Sequence, residues 1–490
     1  MKSEKLYDAI TDVREELVTQ ALPGKKRPAR KRWMGLTAAA LAAMLAVSLL
    51  LPGGSSPAGN PFVPTAKATA LTAAEYPKMA PYPDESAYFK SGGEFDDVGF
   101  MKAYDAWNQD VRAQSQYRDG SEGAADSFFA ASLPAFLGGS NGENRVYSPL
   151  NLYLALGMLA EITDGDSRAQ ILTLLDCPDM DALRSRAKSL WNANYRDDGA
   201  TASILAASVW LDEDIAFRQE TLETLSQVYY ASSYQGEMGS EAMNTALRTW
   251  LNDQTGGLLE QQVSNIELSP ETIMALATTI YFRAKWSDEF SENRTDTGTF
   301  HGFAGDTQCE FMHRSRSNNY YWAENFGAVS ERLESGGQMW FLLPDEGVSP
   351  EELLQSGAAE FLLRGTDQEN KKFLTVNLAL PKFDVSSQMD LQTGLKNLGV
   401  TEVFDPLVSD FSPLTDHPEG LFVSQVQHDA RVAIDEEGVT AAAYTVIPAS
   451  GAAMPPEEEV DFVLDRPFLF AITGADNTPL FAGIVNQVLL

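Results

Sequence analysis

The sequence contains few of the residues that build metal sites and disulfide frameworks. Among its 490 residues are two cysteines, Cys177 and Cys309, and four histidines. Two cysteines are too few for a disulfide framework and too isolated for a zinc site, which needs four close ligands, so we predict buried, unpaired thiols. The histidines, at positions 301, 313, 417 and 428, lack the spacing of a metal-binding pair. We therefore expect neither a metal nor another cofactor.

Motifs for enzymatic chemistry are also scarce. The sequence has no GxxxxGK[ST] or GxGxxG segment to bind phosphate. Its GGSNG segment (138–142) matches the GxSxG pattern of hydrolases, but that pattern needs a buried strand before the serine and a helix after it. The flanking LPAFL and NRVYSP segments instead predict a surface turn around Ser140. We expect a protein that is not an enzyme, and a hydrolase that uses Ser140 with a nearby histidine and acid is a rival hypothesis.

Basic residues are outnumbered in most of the chain. Lys and Arg total 36 against 69 Asp and Glu, which gives a formal net charge of −33. Nucleic acids and anionic membrane surfaces are bound through Lys and Arg, so the sequence predicts that the main body binds neither. An acidic surface outside the cytoplasm is the simpler interpretation.

The amino-terminal segment is the exception. Residues 1–32 contain nine Lys or Arg and five Asp or Glu, and residues 33–51 are 19 residues without a charge. A helix of that length spans a hydrocarbon core of about 30 Å, and the basic block favours a cytoplasmic amino terminus. We predict a basic cytoplasmic tail (1–32) and a transmembrane signal anchor (33–51) of a single-pass cell-membrane protein whose main domain is extracytoplasmic. A cleaved signal peptide, with Ala66-Lys67-Ala68 as the cleavage pattern, is the alternative and would give a secreted protein.

The rest of the chain divides into a linker and one large domain. Residues 52–121 begin with a Pro-, Gly- and Ala-rich stretch typical of a flexible tether, and later residues at helical spacing predict a short amphipathic helix docked on the domain: Phe100, Tyr104, Trp107 and Val111. In residues 122–490, strand-like and helix-like segments follow one another without a regular βαβ order, so we predict an α+β fold. Buried strands are predicted at 279–286, 338–344, 373–383 and 466–472, and helices at 152–163 and 389–400.

One stretch near the carboxyl terminus, EEGVTAAAYT (436–445), places two carboxylates and a glycine before three alanines. Other segments belong to the same pattern, in this order along the chain: VYSPLN, WLNDQTGGLL, TIYFRAKWSDEF, LPKF, DLQTGLKNLGVTEVF, SDFSPLT, VSQVQHDARVAIDEEG, DRPFLFAI and LFAGIVN. With these segments the chain resembles the serpins, serine protease inhibitors that insert a loop into a β-sheet, over residues 122–490. The predicted anchor would make it a membrane-anchored, bacterial-type member.

The resemblance implies a fold and an activity. The implied fold has three β-sheets, about eight or nine helices and an exposed reactive-centre loop, preceded here by one transmembrane helix. The implied activity is that of a monomeric suicide-substrate inhibitor: a target serine protease cuts the loop, forms a covalent acyl complex and is trapped as the loop inserts. The alternative is a non-inhibitory serpin acting as a binding or structural module, because Val439, Tyr444 and Pro448 depart from the usual loop residues.

The resemblance also assigns the parts of the loop. Small side chains let a cut loop enter a packed sheet, and the matching hinge residues are Glu436, Glu437, Gly438, Val439, Ala441, Ala442, Ala443 and Thr445. Counting 17 residues from Glu436, and counting back from Pro455-Pro456, both place the reactive bond between Ala452 and Ala453. Alanine before the bond suits an elastase-like or subtilisin-like protease with a small pocket. The neighbouring bonds 451–452 and 453–454 remain alternatives.

A second group of residues is implied to control whether the sheet opens. This shutter cluster of hydrogen-bonding side chains corresponds to Ser148, Asn151, Thr278 and His428. Asn151 and Thr278 depart from the family pattern in opposite directions, so we hypothesise that the amide of Asn151 replaces the one missing at Thr278, since buried polar groups must be paired. Trp286 is implied to pack where the inserting loop first enters the sheet.

Overall fold

The computed structural model describes residues 69–90, 94–199, 201–255, 266–423, 426–439 and 456–488. The predicted cytoplasmic tail and membrane anchor lie outside the described residues, as do residues 440–455 with the predicted reactive bond. Within the described part, no helix combines the length and the apolar composition that crossing a membrane requires.

The strands of the described residues form an eight-stranded and a nine-stranded sheet. In chain order they are β1 (Thr69–Thr72), β2 (Arg145–Tyr147), β3 (Arg196–Asp197), β4 (Ala202–Asp212), β5 (Ala231–Gly236), β6 (Met274–Lys285), β7 (Thr295–Gly302), β8 (Gly305–Trp322), β9 (Phe326–Arg332), β10 (Gln338–Pro344), β11 (Lys371–Pro381), β12 (Phe383–Asp390), β13 (Gln427–Ile434), β14 (Gly438–Val439), β15 (Glu459–Val463), β16 (Phe468–Thr473) and β17 (Pro479–Val485). The first sheet has the order β1-β5-β4-β6-β14-β13-β12, with β3 paired to β4. The second has the order β15-β11-β8-β9-β10-β16-β17-β2, with β7 paired to β8.

The second sheet differs from the implied arrangement of three sheets. Strand β8 is 18 residues long. It pairs with β7 and β11 along most of its length and with β9 at Tyr321 and Trp322. The single strand β8 therefore joins β7 and β11 to β9 in one sheet. As a result, the described residues form two hydrogen-bonded sheets where three were predicted.

The described residues also form helices. In chain order the α-helices are α1 (Asp97–Ser115), α2 (Arg118–Ser121), α3 (Asp126–Leu137), α4 (Pro149–Glu161), α5 (Gly165–Leu174), α6 (Met180–Asn194), α7 (Gln219–Tyr229), α8 (Glu241–Gln254), α9 (Pro350–Gln355), α10 (Ala358–Arg364) and α11 (Gln392–Asn397). Short 3-10 segments occur at Glu85–Tyr88, Glu292–Arg294 and Glu402–Phe404. The described residues after position 122 thus contain nine α-helices, within the expected number.

The core lies between the sheets and around α4. Strand β4 (ASILAASVWLD) is buried along nearly its whole length, which is typical of a central strand covered on both faces. Helix α4 is apolar on all sides and almost entirely buried, and it begins where the hydroxyl of Ser148 accepts the backbone N–H of Asn151. Cys177 and Cys309 are buried and unpaired, which confirms the prediction for the two thiols.

One predicted helix is shorter than its sequence pattern. Periodicity predicted a helix over 389–400, but α11 covers only Gln392–Asn397. Met389 and Asp390 instead pair with His428 and Gln427 at the end of β12. Tertiary pairing with β13 therefore overrides the local helical pattern, and the helix ends before Gly399, which has a φ of +95°.

Candidate functional site

The first sheet has a slot between its two halves. Strand β6 on one side and β13 on the other are joined only through the two-residue strand β14, as far as the described residues extend. Gly438 and Val439 pair with Lys285 and Ala284 of β6, and Val439 pairs with Ile434 of β13. Beyond β14, no partner strand on the slot side of β6 or of β13 is seen among the described residues.

A tight turn carries the chain from β13 into the slot. The side chain of Asp435 accepts the backbone N–H groups of Glu437, at 3.0 Å, and of Gly438, at 3.1 Å. A Cβ atom on Gly438 would lie 2.4 Å from the carbonyl oxygen of Ala284 and 2.7 Å from Cα of Lys285. Both are backbone atoms, so glycine is required here by the close approach of two strands.

The next residue faces into the packed sheet. The side chain of Val439 is 1% exposed. Because side chains alternate along a strand, the predicted continuation of the strand would direct Ala441, Ala443 and Thr445 to the same face as Val439. These three residues, together with Ala442, lie outside the described residues.

Glu436 ties the hinge to the second sheet. Its carboxylate lies 2.8 Å from Nζ of Lys382 and accepts the hydroxyl of Thr295 at 2.6 Å. Its backbone oxygen accepts the N–H of Phe290 at 2.8 Å. Burial would raise the pKa of Glu436, but the bonds from Lys382 and Thr295 outweigh it and hold that pKa below its ordinary value. The hinge therefore begins at a fixed point.

Glu437 is held less favourably. Burial, with the neighbouring carboxylate of Asp435, raises the pKa of Glu437, and its Oε2 atom has no hydrogen-bond partner in the described part of the chain. Burial raises the pKa of Asp435 as well. The environments of the two carboxylates thus shift their pKa values in opposite directions: hydrogen bonds favour the charged form of Glu436, and burial disfavours the charged form of Glu437. Both residues lie at the point where a loop would have to move.

Trp286 lies at this same point. Its ring is 1% exposed and packs edge-on against Phe290, with ring centroids 5.9 Å apart. Its Nε1 donates to the backbone oxygen of Asp435 at 2.8 Å. Its backbone N–H donates to the backbone oxygen of Glu437 at 3.0 Å. The structure therefore places Trp286 against the first residues of the hinge.

The predicted shutter residues are brought together only in part. The Nε2 atom of His428 accepts the backbone N–H of Ser148 at 3.0 Å. Burial lowers the pKa of His428 to about 4, so the ring is neutral and can accept. The hydroxyl of Ser148 accepts the N–H of Asn151 at 3.1 Å. These three residues thus join β13 to the start of α4.

The hypothesised exchange between Asn151 and Thr278 is not seen in the described contacts. The side-chain nitrogen of Asn151 has no hydrogen-bond partner there, and no described bond joins Thr278 to the cluster. Thr278 lies on β6 opposite Ala207. Its neighbour Thr279 is the buried residue, and the Thr279 hydroxyl also lacks a described partner.

Several residues of this site were missed by sequence reasoning. Asp435, Lys382, Thr295 and Phe290 all fix the hinge, yet none belongs to a chemical motif. Lys382 was visible only as part of LPKF, and Asp435 only as the residue before EEG. Their roles depend on long-range packing of β7, β12 and β13, which residue spacing alone does not reveal.

Ser140, the serine of the GxSxG match, has a structural role. It is 1% exposed, its hydroxyl lies 2.5 Å from Oε1 of Glu351, and it accepts the side-chain amide of Asn486 at 3.1 Å. No histidine contacts it among the described residues. The Ser140 hydroxyl is thus held between the carboxylate of Glu351 and the side-chain amide of Asn486.

Comparison with known proteins decides the family. The family model described as Serpin (serine protease inhibitor) matches residues 124–488. The chain is a serpin. It is 27% identical over 367 residues to Serpin-ZX of Arabidopsis thaliana, covering 71% of this chain and 93% of that protein. It is also 27% identical over 373 residues to the leukocyte elastase inhibitor of Homo sapiens, covering 74% of this chain and 97% of that protein.

Solved serpin structures are similar to this chain over about three quarters of its length. The thermophilic serpin tengpin in its native state has a TM-score of 0.66 at 25% identity, over 75% of this chain and 94% of that chain. Arabidopsis AtSerpin1, in a conformation described as native stressed, has a TM-score of 0.66 at 25% identity, over 76% of this chain and 99% of that chain. The slot between β6 and β13 and the hinge therefore lie in a serpin body.

Proposed function

We propose that this serpin is a suicide-substrate inhibitor of serine proteases, of elastase-like or subtilisin-like specificity. The observation that carries the proposal is the seating of Gly438 and Val439 between β6 and β13, above strand edges with no other described partner. A loop that already begins in the slot needs only to continue in the same direction after it is cut. The relationship to leukocyte elastase inhibitors supports protease inhibition in general.

The proposed chemistry is an interrupted hydrolysis. The serine Oγ of the target attacks the carbonyl carbon of Ala452, the C–N bond to Ala453 breaks, and the new amine leaves with the proton delivered by the protease histidine. Residues from Thr440 to Ala452 then enter the slot as a strand and carry the acylated protease with them. Displacement of the protease distorts its oxyanion hole, so the acyl-enzyme is not hydrolysed.

We also propose that residues 33–51 anchor the protein in the cell membrane with the serpin body outside. The apolar length of the segment and the basic residues before it support this placement. Fractionation of cells into membrane and soluble material, followed by an alkaline carbonate wash, tests it. A protein that is found soluble and begins after residue 68 would support the secreted alternative instead.

The inhibitory function is tested by incubating the full-length chain, in detergent, with pancreatic elastase and with subtilisin. We expect a complex that survives denaturing electrophoresis. We also expect a released carboxyl-terminal fragment whose mass corresponds to a chain that begins at Ala453. The same proteases inactivated with a fluorophosphonate serve as controls and should form no complex. Clean cleavage without a complex from both proteases would contradict inhibition and support a non-inhibitory binding or structural role.

The rival hydrolase predicts a different result. A fluorophosphonate probe incubated with the serpin alone would label Ser140 if that serine were a nucleophile. We expect no labelling, because the Ser140 hydroxyl is buried and bonded to Glu351.

A further inference from the structure

The serpin family match begins at residue 124, but the structure describes an ordered segment before it. We call the described residues between 69 and 121 the extension. From Thr69 onward, the extension is docked on the serpin body and does not run free into solvent. Its contacts lie on one half of the first sheet and on the turns beside the hinge.

The first contact is a strand. β1 pairs with the outer edge of β5, with Thr69 opposite Gln235 and Ala70 opposite Tyr234. Just beyond it, the N–H of Ala74 donates to the hydroxyl of Ser232 at 3.1 Å. The extension thereby becomes part of the half-sheet β1-β5-β4-β6, which lies on one side of the slot.

The second contact is an aromatic cluster. The ring of Tyr76 lies 5.8 Å from that of Trp191 and 5.7 Å from that of Tyr195, measured between centroids. Trp191 itself stacks on Tyr230 at 3.6 Å. Tyr76 therefore packs on rings from the end of α6 and the start of β5, which adds apolar contact to the strand pairing.

The third contact is a polar latch made by Trp107, Arg196 and Asp198. Asp198 is 2% exposed, and its Oδ2 accepts Nε1–H of Trp107 at 2.8 Å and Nε–H of Arg196 at 2.7 Å. Its backbone oxygen accepts the N–H of Tyr82 at 2.8 Å. Hydrogen bonds to a buried carboxylate are stronger than neutral ones, so this carboxylate fixes two parts of the extension to the β3–β4 turn.

The latch continues toward the hinge. Nη1 of Arg196 donates to the backbone oxygen of Ser335, at 3.1 Å, in the turn between β9 and β10 of the second sheet. In that turn the N–H of Glu334 donates to the oxygen of Lys285, at 2.9 Å, and Leu333 pairs with Trp286. Lys285 is the residue of β6 that pairs with Gly438. A continuous series of bonds thus runs from Trp107 to the upper end of the slot.

These contacts connect parts that must separate if the slot widens. The half-sheet containing β6 has to move away from β13, and therefore shift against the second sheet that supports both. The extension contacts the half-sheet through β1 and Tyr76. It is linked to the second sheet through Asp198 and Arg196, because Arg196 donates to the backbone oxygen of Ser335. Movement of the half-sheet relative to the second sheet would break the hydrogen bond from Arg196 to Ser335.

We propose that the extension is a built-in brace that slows opening of the slot and so sets how long the serpin keeps its loop uninserted. The proposal rests on the proposed loop insertion. Its partner surface is the chain's own body: the edge of β5, the Tyr76 cluster and the Asp198 latch. Weakening the brace should speed spontaneous conversion to the inserted form without any change in the loop.

The test follows conversion of the full-length chain in detergent at 37 °C. Aliquots are scored by native electrophoresis, by the urea midpoint and by resistance of the loop to cleavage. Trp107→Phe removes the N–H bonded to Asp198 and keeps an aromatic ring. Tyr76→Ala removes the ring that packs on Trp191 and Tyr195, together with its hydroxyl. Val98→Ala changes a side chain of the same extension that is 82% exposed and serves as the matched control.

We expect both brace variants to convert about tenfold faster than the parent, which corresponds to a barrier lower by about 1.4 kcal/mol, and the control to convert at the parental rate. Parental conversion rates in both brace variants would overturn the proposal, even if their unfolding midpoints fell. Parental protein cut in the loop by subtilisin is the reference for insertion and should have a raised midpoint. If it does not, loop insertion itself fails, and the brace is not the cause of that failure.

Discussion

Gly438 illustrates a residue whose identity the backbone dictates. Gly438 does not lie in the positive-φ region, so a left-handed backbone is not the reason for glycine at this position. Its role is to let the hinge approach β6 until only a hydrogen atom fits against Ala284. The residue type was predictable from the resemblance, whereas its physical reason was not, because the reason depends on a strand about 150 positions earlier in the chain.

The substitution Gly438→Ala should expel the hinge from the slot. Its Cβ would meet two backbone atoms that cannot yield, so we expect the free energy of unfolding to fall by about 1–3 kcal/mol and a larger share of cleaved, uncomplexed serpin after reaction with protease. Urea midpoints and densitometry of denaturing gels measure the two effects. Val439→Ala is the comparison, since it removes methyl groups from the same strand without a clash. An equal yield of complex from Gly438→Ala and the parent would contradict this account.

His428 predicts a pH dependence. Burial lowers its pKa in the folded protein to about 4 from an ordinary 6.5. Between these values the unfolded chain binds more protons, so the free energy of unfolding should decrease as pH falls from 6.5 towards 4, by about 2 kcal/mol between pH 7 and pH 5. Urea titrations at both pH values measure it.

The control for this dependence is a second histidine. His428→Asn should reduce the loss of stability between pH 7 and pH 5, because the asparagine side chain does not titrate. His417→Asn, at an exposed position, should leave the parental dependence unchanged. A His428→Asn protein with the full parental loss would show that other groups cause it.

At the scale of elements, prediction succeeded where burial and sequence pattern agree. The strand predicted at 338–344 is β10 over the same residues, and the strand at 279–286 lies largely within β6. The shortening of α11 and the fusion of strands through β8 were not predictable, because each depends on pairing with residues distant in sequence. The same holds for the site: the hinge residues follow from the motif, but Lys382 and Thr295, which hold Glu436, do not.

The alternation of the hinge strand supports a paired test within the loop. Val439 faces the packed interior, so Ala441 would face it after insertion and Ala442 would not. Ala441→Glu should then lower the fraction of protease trapped at least several-fold, because an unpaired carboxylate would be buried, whereas Ala442→Glu should retain most inhibition. Stoichiometry of inhibition against the protease that forms the complex measures both variants. Equal losses from the two would contradict the assigned face.

At the scale of the whole molecule, the charge is the dominant feature. A net charge of −33 attracts cationic partners at a distance and repels anionic ones. The charge has no part in the fold argument, since the buried strands and α4 are apolar. The charge instead affects the rate at which proteases of different net charge associate with the loop.

The rate of complex formation should therefore depend on salt. For a basic protease, we expect the second-order rate constant to fall about tenfold between 50 and 500 mM NaCl, because screening shortens the reach of the acidic surface. Stopped-flow or progress-curve kinetics measure it. An acidic protease should give the opposite trend. Rates that do not change with salt for both proteases would exclude electrostatic steering.

The pairing of β1 with β5 has one more consequence. A sheet edge offers unpaired N–H and C=O groups on which a strand from another molecule can build, and it is a common starting point for aggregation. In this serpin, the edge at Gln235 and Tyr234 is already occupied by four residues of its own chain. Proteolysis that removed residues 69–72 would uncover that edge, so the integrity of a short segment far from the loop would govern whether the protein stays dispersed at high concentration.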